Sequence, residues 1–243
     1  MFLSSMIGYL TDIPSFHEQI PYCINEVSKA VNTGQLTPEA EKVLDTKIER
    51  IKNDAKDGWY FEANNMFIKS FVWKVMESFE NVGCIYLHRN PIDTFMSHAE
   101  RGWKVGWDWI LRPHWKMNCL RIHRPMSYYE ALNWMWYEVR ARFDMWETDF
   151  AKTFIFDFEK LNDLEEYYRM FEHFGIQYRK IDKLPEFNRN ANNAQDIPVT
   201  ERYQEIMQWV RPQFQHPGKE WAFPTDMESI DLDNQRKARR DVG

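Results

Sequence analysis

Residues 82–88, VGCIYLH, form a nearly continuous apolar run. A strand with one face in water would alternate apolar and polar residues, whereas this run is typical of a strand covered on both faces in a parallel sheet. Arg89 follows the run directly, and Pro91 begins a helical pattern, PIDTFMSHAERGW. The segment therefore predicts a buried strand that ends at a cation and leads at once into a helix.

The rest of the chain alternates between strand and helix patterns. Further strands are predicted over residues 59–64 and 153–158, and helices over 2–10, 37–53, 66–79, 127–150, 163–176 and 200–214. Residues 11–23 read as a connection interrupted by prolines, while 103–127 and 185–199 read as loops. This order predicts an α/β fold with a central parallel sheet flanked by helices, in a single domain over residues 1–225 with a polar tail over 226–243.

Composition excludes several classes of function. The formal charge of −6 argues against broad binding to nucleic acid, which requires a basic face. No apolar run approaches the roughly 20 residues that span a bilayer, so we expect no membrane partner. The three cysteines are scattered and the histidines lack ligand spacing, so we predict no metal site and a reducing, cytoplasmic location.

The turn at Arg89 has the chemistry of an anion site. A helix start offers unpaired N–H groups and a partial positive charge, and a guanidinium presents a planar fork of donors that fits phosphate oxygens. The alternative interpretation is that Arg89 pairs with Asp93 and that Ser97 is a small surface residue. The pattern alone leaves both interpretations open.

The segment IYLHRNPIDTFMSH resembles the 3′-phosphate-binding motif of the sulfotransferase family, with Arg89, Pro91, Asp93 and Ser97 at the family spacing. The segments YFEANNMFIKSF and FIFDFEKLNDLEEYYRMFEHFGI are also similar to that family. The likeness extends over most of residues 13–180 and is specific at 85–97.

The resemblance implies a P-loop-like α/β fold and 3′-phosphoadenosine 5′-phosphosulfate as the sulfuryl donor. It implies that Arg89 and Ser97 bind the 3′-phosphate of that nucleotide. Arg189, in FNRNANNAQ, lies where the family carries a loop that folds over the nucleotide; the alternative is an ordinary polar surface loop.

Sulfotransferases hold the 5′-phosphosulfate with a glycine-containing loop between a strand and a helix, and no such cradle occurs among the nine glycines of this sequence. The start, MFLSSMIGYL, resembles the helix after that loop, so the first strand and loop are expected to be missing. Three explanations remain open. The sequence is a fragment or has a miscalled start, a separate chain supplies the strand and loop, or the protein is a degenerate member. A truncated monomer is expected to be poorly stable or to self-associate.

Sulfuryl transfer also requires a base near the acceptor, and the adjacent His17 and Glu18 are placed like the base of several family members. We favour Glu18 over His17; the alternative is that His17 packs in a turn. Glu62 is expected to pair with Lys69, and His88 to be a packed histidine.

Two further segments carry expectations. Residues 138–142, EVRAR, are interpreted as a solvated helix face with internal ion pairs. Tryptophans over residues 103–115 are expected to wall the acceptor site, and the alternative is a lid that packs on the core.

The predicted function is transfer of a sulfuryl group to a hydroxyl or amine of a small molecule or glycan. The alternatives are a non-catalytic nucleotide-binding protein and a nucleotide kinase. The absence of a lysine-bearing phosphate loop argues against the kinase.

Overall fold

The computed structural model describes residues 2–33, 35–91, 93, 94, 97 and 128–185. Its helices are α1 (Phe2–Leu10), α2 (Asn25–Thr33), α3 (Pro38–Asp54), α4 (Val72–Ser78), α5 (Tyr128–Trp146) and α6 (Leu164–Phe174). Its strands are β1 (Ser15–His17), β2 (Phe61–Ala63), β3 (Gly83–His88) and β4 (Lys152–Asp157). A π-helical turn, Phe67–Phe71, leads into α4, and 3₁₀ turns follow α5 (Glu147–Asp149) and β4 (Phe158–Lys160).

The four strands form two parallel sheets of two strands each, β1 with β2 and β3 with β4. The register sets His17 opposite Ala63 and His88 opposite Asp157, at the last residue of each strand. The predicted mixed α/β architecture with parallel pairing is confirmed. The described strands nevertheless form two sheets instead of the one predicted, because β2 and β3 are not hydrogen-bonded to each other.

Hydrophobic clusters lie on both faces of the β3–β4 sheet, because successive side chains of a strand point to opposite faces, although Leu87 of β3 and Ile155 of β4 are 40% and 45% exposed. Cys84 and Tyr86 of β3 belong to a first hydrophobic cluster, which is built mainly by α2, α3, α4 and α5. Ile85 belongs to a second cluster with α1 and α6. Phe61 of β2 joins the second cluster, so α1 shares this cluster with residues of both sheets. This arrangement explains the apolar residues Cys84, Ile85 and Tyr86, whereas Leu87 is exposed among the described residues.

Local sequence signals explain where several helices begin and end. The Thr37 hydroxyl accepts a hydrogen bond from the Ala40 amide at 3.2 Å, and Pro38 occupies the first helical position of α3. In α6 the Asp163 carboxylate accepts from the Glu165 amide at 3.0 Å, and Gly175 ends the helix with a φ of 76°. A residue with a Cβ is strained at that φ, whereas glycine is not.

Two elements differ from the sequence-based expectation. β1 falls in the stretch 11–23 that reads as a connection, because it is only three residues long between prolines. No element is predicted at α2, because NEVSKAVNT is largely polar. The predicted helix over 200–214, the loops over 103–127 and 185–199 and the tail over 226–243 lie outside the described residues, apart from residue 185. None of the helices in the described segments is both long and apolar enough to cross a bilayer.

Candidate functional site

The carboxyl ends of the strands bring the predicted site residues to two places. Glu18 follows β1 beside Asn64 and Asn65, which follow β2. Arg89 follows β3 beside Phe158, which follows β4. Ligands of open α/β sheets bind at this edge, so both places are candidate sites.

Arg89 is held in place at its backbone and at the end of its side chain. Its carbonyl oxygen accepts a hydrogen bond from the Trp136 indole nitrogen at 3.0 Å. Its guanidinium carbon lies 4.3 Å from the centroid of the Phe158 ring. The Nε atom is buried and has no hydrogen-bond partner among the residues that the structure describes. Arg89 therefore carries a desolvated donor that none of these residues satisfies.

The helix predicted after Arg89 begins at Pro91. Pro91, Asp93, Thr94 and Ser97 have helical backbone, and the Thr94 amide donates to the Asn90 carbonyl at 3.0 Å. Ser97 is half-buried on this helix. Within the described segments Arg89 makes no ion pair with Asp93, so the alternative interpretation of this turn lacks its principal contact.

Glu18 is half-buried and fixed by neighbouring groups. Its amide donates to the Ala63 carbonyl at 3.0 Å, and its φ is 48°. The side-chain amide of Asn65 donates to its Oε1 atom. His17 is exposed at the end of β1. The two predicted base candidates therefore differ in exposure, and the Glu18 carboxylate is oriented by Asn65.

Lys69, in the π-helical turn, contributes a charge close to Glu18. Burial lowers the pKa of the Lys69 ammonium to about 7, and the positive charge of Arg142 contributes to this lowering, whereas the negative charge of Glu18 opposes both effects. An Arg142 Nη1 atom also donates to the Lys69 carbonyl at 3.5 Å. π-helical turns occur often at functional sites, which adds Lys69 to the candidate residues.

Helix α5 connects the two places. Trp136 contacts the Arg89 carbonyl and Arg142 contacts the Lys69 carbonyl. These two side chains start from positions about 9 Å apart along the helix axis, since each residue rises about 1.5 Å. The two candidate places therefore lie along one helix.

The predicted pairing of Glu62 with Lys69 is wrong. The Glu62 carboxylate instead accepts from the Lys47 ammonium at 2.8 Å, and both side chains are almost fully buried. Lys47 reaches Glu62 from α3, while Lys69 is directed toward the surroundings of Arg142 and Glu18. The Glu62 carboxylate also accepts hydrogen bonds from the side chains of Tyr60 and Asn64 and from the backbone amide of Gln19, so it has a structural role.

The interpretation of residues 138–142 as a solvated face is also wrong. The ion pair between Arg142 Nε and Glu138 Oε1 is present at 2.5 Å, but both side chains are at most 1% exposed. They lie on the face of α5 that packs against the π-helical turn, which removes them from water. The prediction for His88 is confirmed, since its ring packs against Trp136 with centroids 6.1 Å apart.

The remaining predictions concern residues that the structure does not describe or sites that it does not show. Arg189 and the tryptophans over residues 103–115 lie outside the described residues. In the described part of the chain there is no group of three or more histidine, cysteine, aspartate or glutamate side chains that is arranged to hold a metal ion. An open groove of about 810 Å³ runs along α3 beside Ile20 and Pro21, and its walls contain none of the predicted site residues.

Sequence reasoning missed Phe158, Trp136 and Asn65. Phe158 and Asn65 carry a usable signal, because each closely follows a strand and so lies at the ligand edge of a sheet. Trp136 carries none, since its indole reaches Arg89 from a helix that is distant in the sequence.

The chain has no significant match to a protein-family model, a curated protein or a solved structure. The resemblance to sulfotransferases therefore rests on the sequence motif at residues 85–97.

Proposed function

We propose that this protein is sulfotransferase-like, has a P-loop-like α/β fold, and binds the 3′-phosphate of 3′-phosphoadenosine 5′-phosphosulfate at Arg89 and Ser97. One observation carries the proposal: the buried Arg89 Nε has no hydrogen-bond partner among the described residues. A buried donor without a partner costs about 1–3 kcal/mol, and a phosphate oxygen would remove that cost.

The position of Arg89 agrees with this role. It lies at the carboxyl end of β3 and precedes a helix that begins at Pro91, where an anion is favoured. Ser97 also has helical backbone and is half-buried, which suits a hydroxyl that donates to a second oxygen of the phosphate. Arg189 is proposed as a further phosphate contact by its place in the sequence.

The proposed reaction moves a sulfuryl group from the donor to a hydroxyl or amine of a small molecule or glycan. The acceptor oxygen or nitrogen forms a bond to sulfur while the bond from sulfur to the 5′-phosphate oxygen breaks. Glu18 takes the proton of the acceptor, and adenosine 3′,5′-bisphosphate leaves. Glu18 suits this role better than His17, because the side-chain amide of Asn65 orients its carboxylate.

The proposed fold places a further parallel strand between β2 and β3, so that the two sheets become one. Support comes from α1, whose Met6 and Leu10 share one cluster with Phe61 of β2 and Ile85 of β3. Self-association is the proposed consequence of an incomplete sheet, because strand edges without a partner pair with other chains. Sedimentation velocity tests it: a dimer that forms with increasing concentration supports self-association, and a monomer at all concentrations contradicts it.

Calorimetric titration with adenosine 3′,5′-bisphosphate tests the proposed site. We expect Arg89→Ala to weaken binding roughly 10- to 100-fold, the value of charge-assisted hydrogen bonds. Adenosine 5′-monophosphate lacks the 3′-phosphate, so its affinity should be unchanged by the same substitution. Arg169→Ala removes an exposed arginine of α6 and serves as the matched control.

The outcomes separate the candidate functions. Turnover of the phosphosulfate donor that is lost in Glu18→Gln supports the transferase. Binding that depends on Arg89, without turnover, supports a non-catalytic nucleotide-binding protein. If the unsubstituted protein does not bind the bisphosphate, the assignment of Arg89 is wrong.

A further inference from the structure

We propose that Phe158 is a positioning residue, which holds the Arg89 guanidinium in the orientation that an anion requires. The inference deepens the proposed function and rests on it for its ligand. It rests on geometry for the contact itself, because the guanidinium carbon is 4.3 Å from the ring centroid.

Local hydrogen bonds hold the backbone at Phe158 in place. Phe158 follows β4 and begins a 3₁₀ turn, in which the Asp157 carboxylate accepts from the Glu159 amide at 3.1 Å and the Leu161 amide donates to the Phe158 carbonyl at 3.1 Å. In the pairing of β3 with β4, His88 lies opposite Asp157. The next residue after each strand is Arg89 or Phe158, so these two residues lie side by side. The ring therefore has a defined place next to the guanidinium.

An aromatic ring on the face of a guanidinium leaves its donors available. The Phe158 ring attracts the guanidinium through its π electrons and contains no oxygen or nitrogen acceptor, so the N–H groups keep their capacity to donate to an anion. Trp136 fixes the other end of the residue through the Arg89 carbonyl. With both ends fixed, the unsatisfied Nε has a constant direction, and less side-chain entropy is lost when an anion binds.

If Phe158 acts by orienting Arg89, its loss should weaken binding only of ligands that carry the 3′-phosphate. Loss of the ring should weaken binding of adenosine 3′,5′-bisphosphate roughly two- to fivefold, the range of an accessible cation–π contact. Binding of adenosine 5′-monophosphate should not change. If Phe158 had a purely structural role, loss of its ring would weaken binding of both nucleotides alike.

The test combines calorimetry with NMR of the arginine side chains in the full chain. Phe158→Leu removes the ring, Phe158→Tyr keeps it, and Phe154→Leu removes a ring from β4 that packs in the second cluster. Comparison with Arg89→Ala assigns the Arg89 Nε–Hε signal. The ring current at position 158 should displace this signal in the unsubstituted protein and in the Phe158→Tyr and Phe154→Leu variants, but not in Phe158→Leu.

A double-mutant cycle decides whether Phe158 acts through Arg89. We expect Phe158→Leu to have no further effect on bisphosphate affinity when Arg89 is already alanine. An equal loss in both backgrounds, or an Nε–Hε signal that Phe158→Leu leaves in place, overturns the proposal. If the unsubstituted protein does not bind the bisphosphate, the proposed function is wrong, and the NMR comparison alone decides whether Phe158 orients Arg89.

Discussion

Glu62 joins β2 to α3 through a buried ion pair. Lys47 and Glu62 are 1% and 7% exposed, and their charged atoms are 2.8 Å apart. We expect Glu62→Gln to lower the free energy of unfolding by about 3–5 kcal/mol, because it leaves the Lys47 ammonium buried without its counterion. Urea unfolding followed by circular dichroism measures the change.

The surface pair of Lys52 and Glu49 is the matched control for Glu62. Its atoms are 2.9 Å apart, nearly as close, but the side chains are 50% and 62% exposed. Glu49→Gln should change the free energy of unfolding by less than about 1 kcal/mol, because water screens this pair. Equal effects of the two substitutions would show that the buried pair is not a stabilising contact.

Lys69 should make stability depend on pH. Its folded pKa is lowered to about 7 by burial and by Arg142, while the unfolded pKa is near 10.5. Between these values the unfolded chain binds the proton and the folded chain does not, so stability rises with pH across this window. The slope is at most about 1.4 kcal/mol per pH unit, and less to the extent that water reaches the ammonium.

Lys69→Met removes this titration and gives the comparison. Urea unfolding at pH 7 and pH 10 should show Lys69→Met more stable than the unsubstituted protein at pH 7, with the difference shrinking at pH 10. Below pH 7 both states of the unsubstituted protein are protonated, so the difference should be constant there. A difference that does not vary between pH 7 and 10 contradicts the lowered pKa.

The partners of Arg89 and Glu62 show what a sequence can predict about a site. The position of Arg89 at the carboxyl end of a strand is predictable, because the end of an apolar run is a local signal. The partner of Glu62 is not, since Lys69 is near in sequence whereas Lys47 reaches the carboxylate through the packing of α3. Residues that come from different elements, such as Trp136 beside Arg89, depend on tertiary structure.

Helix α3 is the element whose start the sequence predicts most directly. Thr37 caps it and Pro38 occupies its first position, both visible in LTPEAEKVL. We expect Thr37→Ala to lower the free energy of unfolding by about 1 kcal/mol, because the Ala40 amide loses its acceptor. Thermal and urea unfolding provide the measurement.

Thr46→Ala in the same helix is the control for Thr37. Its exposed hydroxyl donates to the Lys42 carbonyl at 2.7 Å, a carbonyl that the helix backbone can also satisfy. Alanine there should be neutral or slightly stabilising, since its helix propensity is higher than that of threonine. A loss at Thr46 as large as that at Thr37 would assign the effect to something other than the cap.

The elements that the sequence does not predict lack such signals. β1 is only three residues long, and β2 supplies its hydrogen bonds from a distant part of the chain. The strand over 83–88 is predicted almost to the residue, because its apolar run is uninterrupted and its side chains join clusters on both faces of the sheet. An element of this fold is therefore easier to predict when its own residues encode more of its stabilisation.

At the scale of the whole molecule, the two hydrophobic clusters share one strand. Cys84 and Tyr86 of β3 face the first cluster while Ile85 faces the second. Unfolding of either cluster exposes the face of β3 that packs in it. The strand is then no longer held in place for packing with the other cluster. We therefore expect the two clusters to unfold together.

Met6→Ala tests this coupling from the side of the second cluster. Met6 is fully buried on α1, and truncation of a buried methionine costs about 2–5 kcal/mol. Hydrogen exchange of the full chain, measured by mass spectrometry, should show the same loss of protection free energy in α6, which packs in the second cluster, and in α5, which packs in the first. The control is Leu44→Ala in α3, which should produce the same pattern from the first cluster. A loss confined to α1 and α6 would mean that the clusters unfold independently and that β3 does not couple them, whereas an equal loss in both means that α1 stabilises the helix that positions Arg89.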